Sequence, residues 1–125
     1  MFDHLSLGVR DLAAARRFYD ALLAPLGAAL ASLTEREASY GPGGAAPQFF
    51  LYPVAGEQVA GLGTHIAFTA DSRLAVDAAF AAAVAEGATV VRPAGLHPDI
   101  AAGYYGAILV DPDGNRLEIV AGAMH

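Results

Sequence analysis

Cysteine is absent from this chain of 125 residues. That excludes a disulfide framework, a thiolate metal site and a cysteine nucleophile, so a metal here must be held by His, Asp or Glu. Lysine is absent too, and seven arginines face thirteen acidic residues, for a formal net charge of −6. That is the wrong sign for neutralising phosphates or anionic lipid, which argues against nucleic acid and membrane-surface partners. Charged residues are scarce at 16% against 55% hydrophobic, far from the composition that keeps chains disordered. Long apolar runs are missing as well: the uncharged stretches 21–34 and 38–56 are each broken by proline and glycine and fail as membrane spans. The opening MFDHLSLGVRDL lacks the basic start and apolar core of a signal peptide, so the expectation is a soluble cytoplasmic protein. The length suits one domain.

What is present is an internal repeat. Sliding the chain by 61 residues lays His4-Leu5-Ser6-Leu7 over His65-Ile66-Ala67-Phe68, Asp11 over Ser72, Tyr19 over Phe80 and Leu23 over Val84. Alternation at Leu5, Leu7 and Val9, and again at Ile66 and Phe68, is the period of a half-buried strand. Asp11 and Ser72 are good N-caps for helices predicted over 12–23 and 73–86. Their apolar stripes read Leu12, Ala15, Tyr19, Leu22 and Val76, Phe80, Val84; Pro25 or Gly27 ends the first, Gly87 the second. Three strands follow each helix, around 28–34, 37–40 and 48–53, then 89–93, 104–110 and 115–121, the last two joined by the turn Asp111-Pro112-Asp113-Gly114. The predicted fold is α+β: two tandem βαβββ modules, about 1–57 and 63–123, with a hinge at 58–63, in one domain. Modules of this size bury too little surface to be comfortably stable apart.

Chemistry is expected on the sheet face that the helices leave open. If Leu5, Leu7 and Val9 face the first helix, then His4, Ser6 and Gly8 point the other way. The same parity sends His65, Ala67 and Thr69 to the open face, and Leu117 and Ile119 leave Arg116, Glu118 and Val120 for it. Two imidazoles and a carboxylate form the open triad that suits Zn, Ni, Mn or Fe(II) and leaves coordination positions for substrate. Taken singly, each of these residues also reads as an exposed polar group at a strand end. Their matching repeat positions favour a metal site. The first-half equivalent of Glu118 falls at Phe50, an aromatic wall rather than a second carboxylate, or at Gln48 if the register shifts by two.

These residues carry a resemblance. His4-Leu5-Ser6-Leu7-Gly8-Val9 with Asp11, Arg17-Phe18-Tyr19, Gly63-Thr64-His65-Ile66-Ala67-Phe68 and Asp111-Pro112-Asp113-Gly114-Asn115-Arg116-Leu117-Glu118 resemble the vicinal oxygen chelate superfamily. That group includes glyoxalases, bleomycin-resistance proteins and extradiol dioxygenases. The resemblance implies paired modules curling into a cleft, usually in a homodimer, with a divalent metal on His4, His65 and Glu118 that chelates two adjacent substrate oxygens. Phe50 speaks against glyoxalase I and methylmalonyl-CoA epimerase activity, which rely on a glutamate from each half. Ring-cleaving dioxygenases share the triad but usually have two such domains, and fosfomycin-modifying transferases use a lysine that this chain lacks.

Leu96-His97-Pro98-Asp99 ahead of Gly103-Tyr104-Tyr105 also resembles a subgroup of short members. His97 and Tyr104 are the candidates for proton transfer at the cleft mouth. Each has a plainer reading: His97 as an exposed loop residue, Tyr104 as a cleft wall or core residue. Phe50, Tyr52 and Arg116 are the candidates for substrate contact, Arg116 reading equally as a solvated surface arginine. The loop 41–47 lacks the strand, helix and Lys of a phosphate loop and reads as a rim. The alternative function is a metal-free protein that sequesters a ligand, as bleomycin-resistance members do.

Overall fold

A computed structural model describes residues 1–122. The expected limit of the second module, residue 123, lies just outside the described residues. Strand β1 (Leu5–Val9) leads into α1 (Leu12–Leu23), a single 3-10 turn, then β2 (Ala28–Leu33), β3 (Ala38–Pro42) and β4 (Phe49–Pro53). The second half repeats the order with β5 (His65–Ala70), α2 (Arg73–Ala85), β6 (Thr89–Leu96), β7 (Tyr105–Val110) and β8 (Arg116–Ala121). Each half makes a mixed four-stranded sheet, ordered β1-β4-β3-β2 and β5-β8-β7-β6, with the first strand at an edge and parallel to the last. A parallel neighbour requires a crossover, and the helix supplies it.

The predicted caps form. Asp11 accepts from the Ala14 N–H at 3.1 Å and Ser72 from the Ala75 N–H at 3.1 Å, each satisfying a donor that the first helical turn leaves free. Gly27 takes the left-handed conformation (φ 80°) that closes the 3-10 turn after α1, which a β-carbon would strain. Helix α1 buries Ala15, Phe18, Tyr19, Leu22 and Leu23.

In α2 the expected stripe holds in part. Val76 is buried and Phe80 packs partly buried against the core, as read, but Val84 is 41% exposed and the remaining buried positions are Ala79 and Ala83. The helix packs on α1 and on its own sheet, and at a fully buried position alanine takes less room than valine or phenylalanine. Leu5 also departs from the expected core stripe at 40% exposed, while Leu7 and Val9 are buried as read.

One apolar cluster runs through both halves. Phe49 of β4 links them, meeting Tyr19 at 5.1 Å and Phe68 of β5 edge-on at 5.3 Å. Both sheets therefore turn their helix-covered faces toward a shared layer, and their open faces look away from it.

Candidate active site

The turn Asp111-Pro112-Asp113-Gly114-Asn115, the most recognisable motif in the sequence, fastens the two halves together. Asp111 is 3% exposed. Its Oδ1 accepts the backbone N–H groups of Asp113 (2.9 Å) and Asn115 (2.8 Å), and its Oδ2 accepts the Asn115 side chain (3.0 Å) and the Tyr19 hydroxyl (2.5 Å) from α1. The buried Asn115 also donates to the Gly8 carbonyl of β1 at 3.1 Å, and the Arg10 N–H donates to Asp113 at 3.0 Å. Burial, reinforced by the adjacent Asp111 carboxylate, holds the Tyr19 hydroxyl well above its ordinary pKa, so it stays a donor. Fixing this turn fixes the start of β8 and, with it, Glu118.

Register places the open face of the second sheet in rows. His65 pairs with Arg116, and Arg116 with Val110. In the next row Ala67 pairs with Glu118, Glu118 with Ile108 and Ile108 with Arg92. His65 and Glu118 thus share one face of adjacent strands, offset by one row. His65 and Arg116 are exposed, whereas Glu118 is 6% exposed although its face carries no helix. Tyr104 is one reason.

Tyr104 lies back over Gly106, where a methyl group would stand 2.7 Å from the phenol oxygen, so glycine at this strand position makes room for the ring. The side chain is 2% exposed and its hydroxyl is buried without a hydrogen-bond partner. Burial, followed by the negative charge of neighbouring Glu118, pushes that hydroxyl up to about 12, so it is a neutral donor at ordinary pH. Tyr105 faces the other way, donating to Asp77 of α2 at 2.6 Å beneath the Arg73 guanidinium.

The segment from 97 to 103 meets this face through His97 and Asp99. The ring of His97 packs 5.9 Å from that of Tyr104, and its Nε2 lies 2.8 Å from the Pro93 carbonyl. A carbonyl only accepts, so Nε2 carries the proton and Nδ1 is left as the acceptor in the neutral ring. Arg92 donates to both oxygens of Asp99, at 3.0 and 2.8 Å. That fork holds the Asp99 carboxyl below the usual range.

The first sheet offers an apolar counterpart. Ser6 pairs with Phe50 as Ala67 pairs with Glu118, so Phe50 occupies the repeat position of the glutamate, as the sequence indicates. The His4 ring meets Phe50 edge-on at 5.3 Å, and its Nδ1 lies 2.6 Å from Asp3. Tyr52 stacks on Phe50 at 6.4 Å and is 36% exposed.

The expected sites therefore divide. His65, Glu118, Arg116, Tyr104 and His97 are gathered on or beside the open face of the second sheet, whereas His4, Phe50 and Tyr52 stand on that of the first. Among the described residues no three His, Asp or Glu side chains converge as a metal-holding group within one chain. An apolar cavity of about 290 Å³ lies elsewhere, between Leu23, Leu26 and Phe49 of the first half and Ile66 and Phe68 of β5. Sequence reasoning missed Arg92 and Asp99. Strand alternation would have found Arg92 but for irregularities on both sides of it, between Val90 and Arg92 and between Arg92 and Gly95, which break the period of two.

The family model of the Glyoxalase/Bleomycin resistance protein/Dioxygenase superfamily matches residues 1–119. Among solved structures, the chain is similar to a glyoxalase/bleomycin resistance protein from Albidiferax ferrireducens T118, with 33% identity over 98% of this chain and 99% of that one and a TM-score of 0.85. It shares its fold with a glyoxalase-related enzyme from Fulvimarina pelagi (24% identity, 94% and 85% of the two chains, TM-score 0.71). The fold also matches a genomically encoded fosfomycin resistance protein from Listeria monocytogenes (21% identity, 97% and 92%, TM-score 0.70). No curated protein matches. Repeated βαβββ halves, a family model spanning nearly the whole chain and a one-third-identical structural neighbour agree: the chain belongs to the glyoxalase/bleomycin resistance/dioxygenase superfamily.

Proposed function

We propose that this protein is a divalent-metal-dependent enzyme acting on a small molecule that presents two adjacent oxygens. The observation that carries this reading is the pairing of His65 and Glu118 on one open face of adjacent strands, with His4 at the repeat position of His65 on the other sheet. One chain supplies two donors of the triad; the third, His4, comes from a second copy. Strands β1 and β5 are both sheet edges, and an unpaired edge invites pairing with another chain. A two-fold dimer that sets β1 of one copy beside β5 of the other brings the two histidines to one site and covers the exposed Leu5.

A divalent ion held by His65, Glu118 and a second copy's His4 would supply Lewis acidity to two adjacent substrate oxygens. The chain's own residues do the rest. The Tyr104 hydroxyl, a buried donor without a partner, donates a hydrogen bond to a substrate oxygen beside Glu118. His97, with Nε2 committed to Pro93, exchanges a proton through Nδ1 at the mouth. Arg116 draws an anionic group toward the exposed face, and Phe50 and Tyr52 supply an apolar wall from the second copy.

Metal content of protein purified without chelators tests this. Near-stoichiometric divalent ion in the wild type, lost in His65→Ala and Glu118→Ala variants that remain folded, is the expected result. Wild-type protein that holds no metal overturns it and leaves the second reading, a metal-free sequestering protein; the packing of His4 on Phe50 and Asp3 favours that alternative.

A further inference from the structure

We propose that the apolar cavity between the two halves is a second binding site, separate from the open faces and independent of any metal, for a small uncharged aliphatic molecule of about ten carbons. The cavity measures about 290 Å³. An apolar cavity of about 150 Å³ already takes benzene, and ligand pockets begin near about 300 Å³, so a compact hydrocarbon skeleton fits this space.

Three features argue for such an occupant. The walls come from both halves: Leu23 and Phe49 are buried on one side, and Ile66 and Phe68 of β5, half-buried, close the other. Folded chains pack side chains of this kind together, because a void between them forfeits their mutual contacts. Second, part of the wall belongs to an element that breaks the repeat. The 3-10 turn Ala24–Leu26 brings Leu26 and Gly27 to the cavity, and among the described residues the second half has no counterpart to it between α2 and β6. This turn packs against α2 and β5, standing between the end of α1 and the second sheet.

Third, the lining selects by charge. Among the described residues no acid, arginine or histidine lines the cavity, and the Tyr40 hydroxyl is committed to Asp20 at 2.8 Å, which leaves its ring as the wall. An ion entering here would lose its hydration without gaining a partner. Gln48 and Thr69, both exposed, are the other polar side chains of the lining and suit a single hydroxyl or carbonyl at the ligand's outer end.

The probe is 1-adamantanol, a compact cage alcohol without the adjacent oxygens that chelate an ion, and 1-adamantanecarboxylate is its anionic counterpart. The chain has four isoleucines; Ile66 lines the cavity and Ile108 stands in the row of Glu118 on the open face, so their methyl signals report where the probe sits. Titrated into the full chain labelled at its isoleucine methyls, adamantanol should shift the Ile66 signal saturably and leave Ile108 in place. The carboxylate should bind at least about tenfold more weakly. Ala28→Phe, or Leu26→Trp if that variant fails to fold, fills the cavity and should weaken adamantanol binding by about tenfold or more. Phe50→Ala, on the open face of the first sheet, should bind as the wild type does. An unmoved Ile66 signal, a shift at Ile108 instead, equal binding of the carboxylate, or binding that survives a filled cavity overturns the proposal. So does an Ile66 signal that moves with protein concentration and not with the probe, the mark of a second copy seated in the cavity.

Discussion

Asp111 is buried and accepts four hydrogen bonds, one of them from the other half of the molecule. Replacing it with alanine leaves the Tyr19 hydroxyl, the Asn115 amide and two backbone N–H groups without that acceptor, at an expected cost of about 3 kcal/mol or more. Tyr19→Phe removes one donor and should cost about 1 to 2 kcal/mol. Urea midpoints at constant slope measure both, and an Asp111→Ala protein as resistant as the wild type would refute the clasp. The motif that makes the family legible in sequence thus acts in large part by holding the halves together. Alternation was enough to send His65 and Glu118 to one face, because β5 and β8 are regular and the Leu117 and Ile119 pair fixes the parity. The same rule failed at Arg92, since bulges are set by local hydrogen bonding that residue type does not announce. The burial of Glu118 was equally invisible, depending on a tyrosine fourteen positions away folding back over a glycine.

Helix limits and caps were readable because capping is local: an acceptor side chain three residues before an N–H needs no tertiary information. Which face of α2 is buried is a tertiary matter. Valine and phenylalanine mark an apolar stripe by hydrophobicity alone; Val76 and Phe80 keep their place on the core, but Val84 is exposed and the small residues Ala79 and Ala83 are fully buried. Ala79→Leu should therefore cost about 1 to 3 kcal/mol by overpacking a fully buried position. Val84→Ala, at an exposed position, should change stability by less than about 0.5 kcal/mol. Thermal or urea unfolding of the two variants decides between the stripes, and the reverse order of effects would restore the one read from sequence.

At the scale of the whole molecule, the repeat foretold two similar halves but not how their open faces would be disposed. Each sheet buries against its own helix and the helices pack on each other, so each presents half of an expected site on a face turned away from the core. The central claim is that two copies complete one another, His4 from one joining His65 and Glu118 from the other. Co-refolding equal amounts of His4→Ala and Glu118→Ala chains tests it most directly, with metal content measured for the wild type, each variant alone and the mixture. If sites are shared, every mixed dimer carries one intact site, and random pairing restores about a quarter of the wild-type metal although each variant alone holds none. A mixture that stays as empty as its parents, beside a loaded wild type, would contradict the shared site.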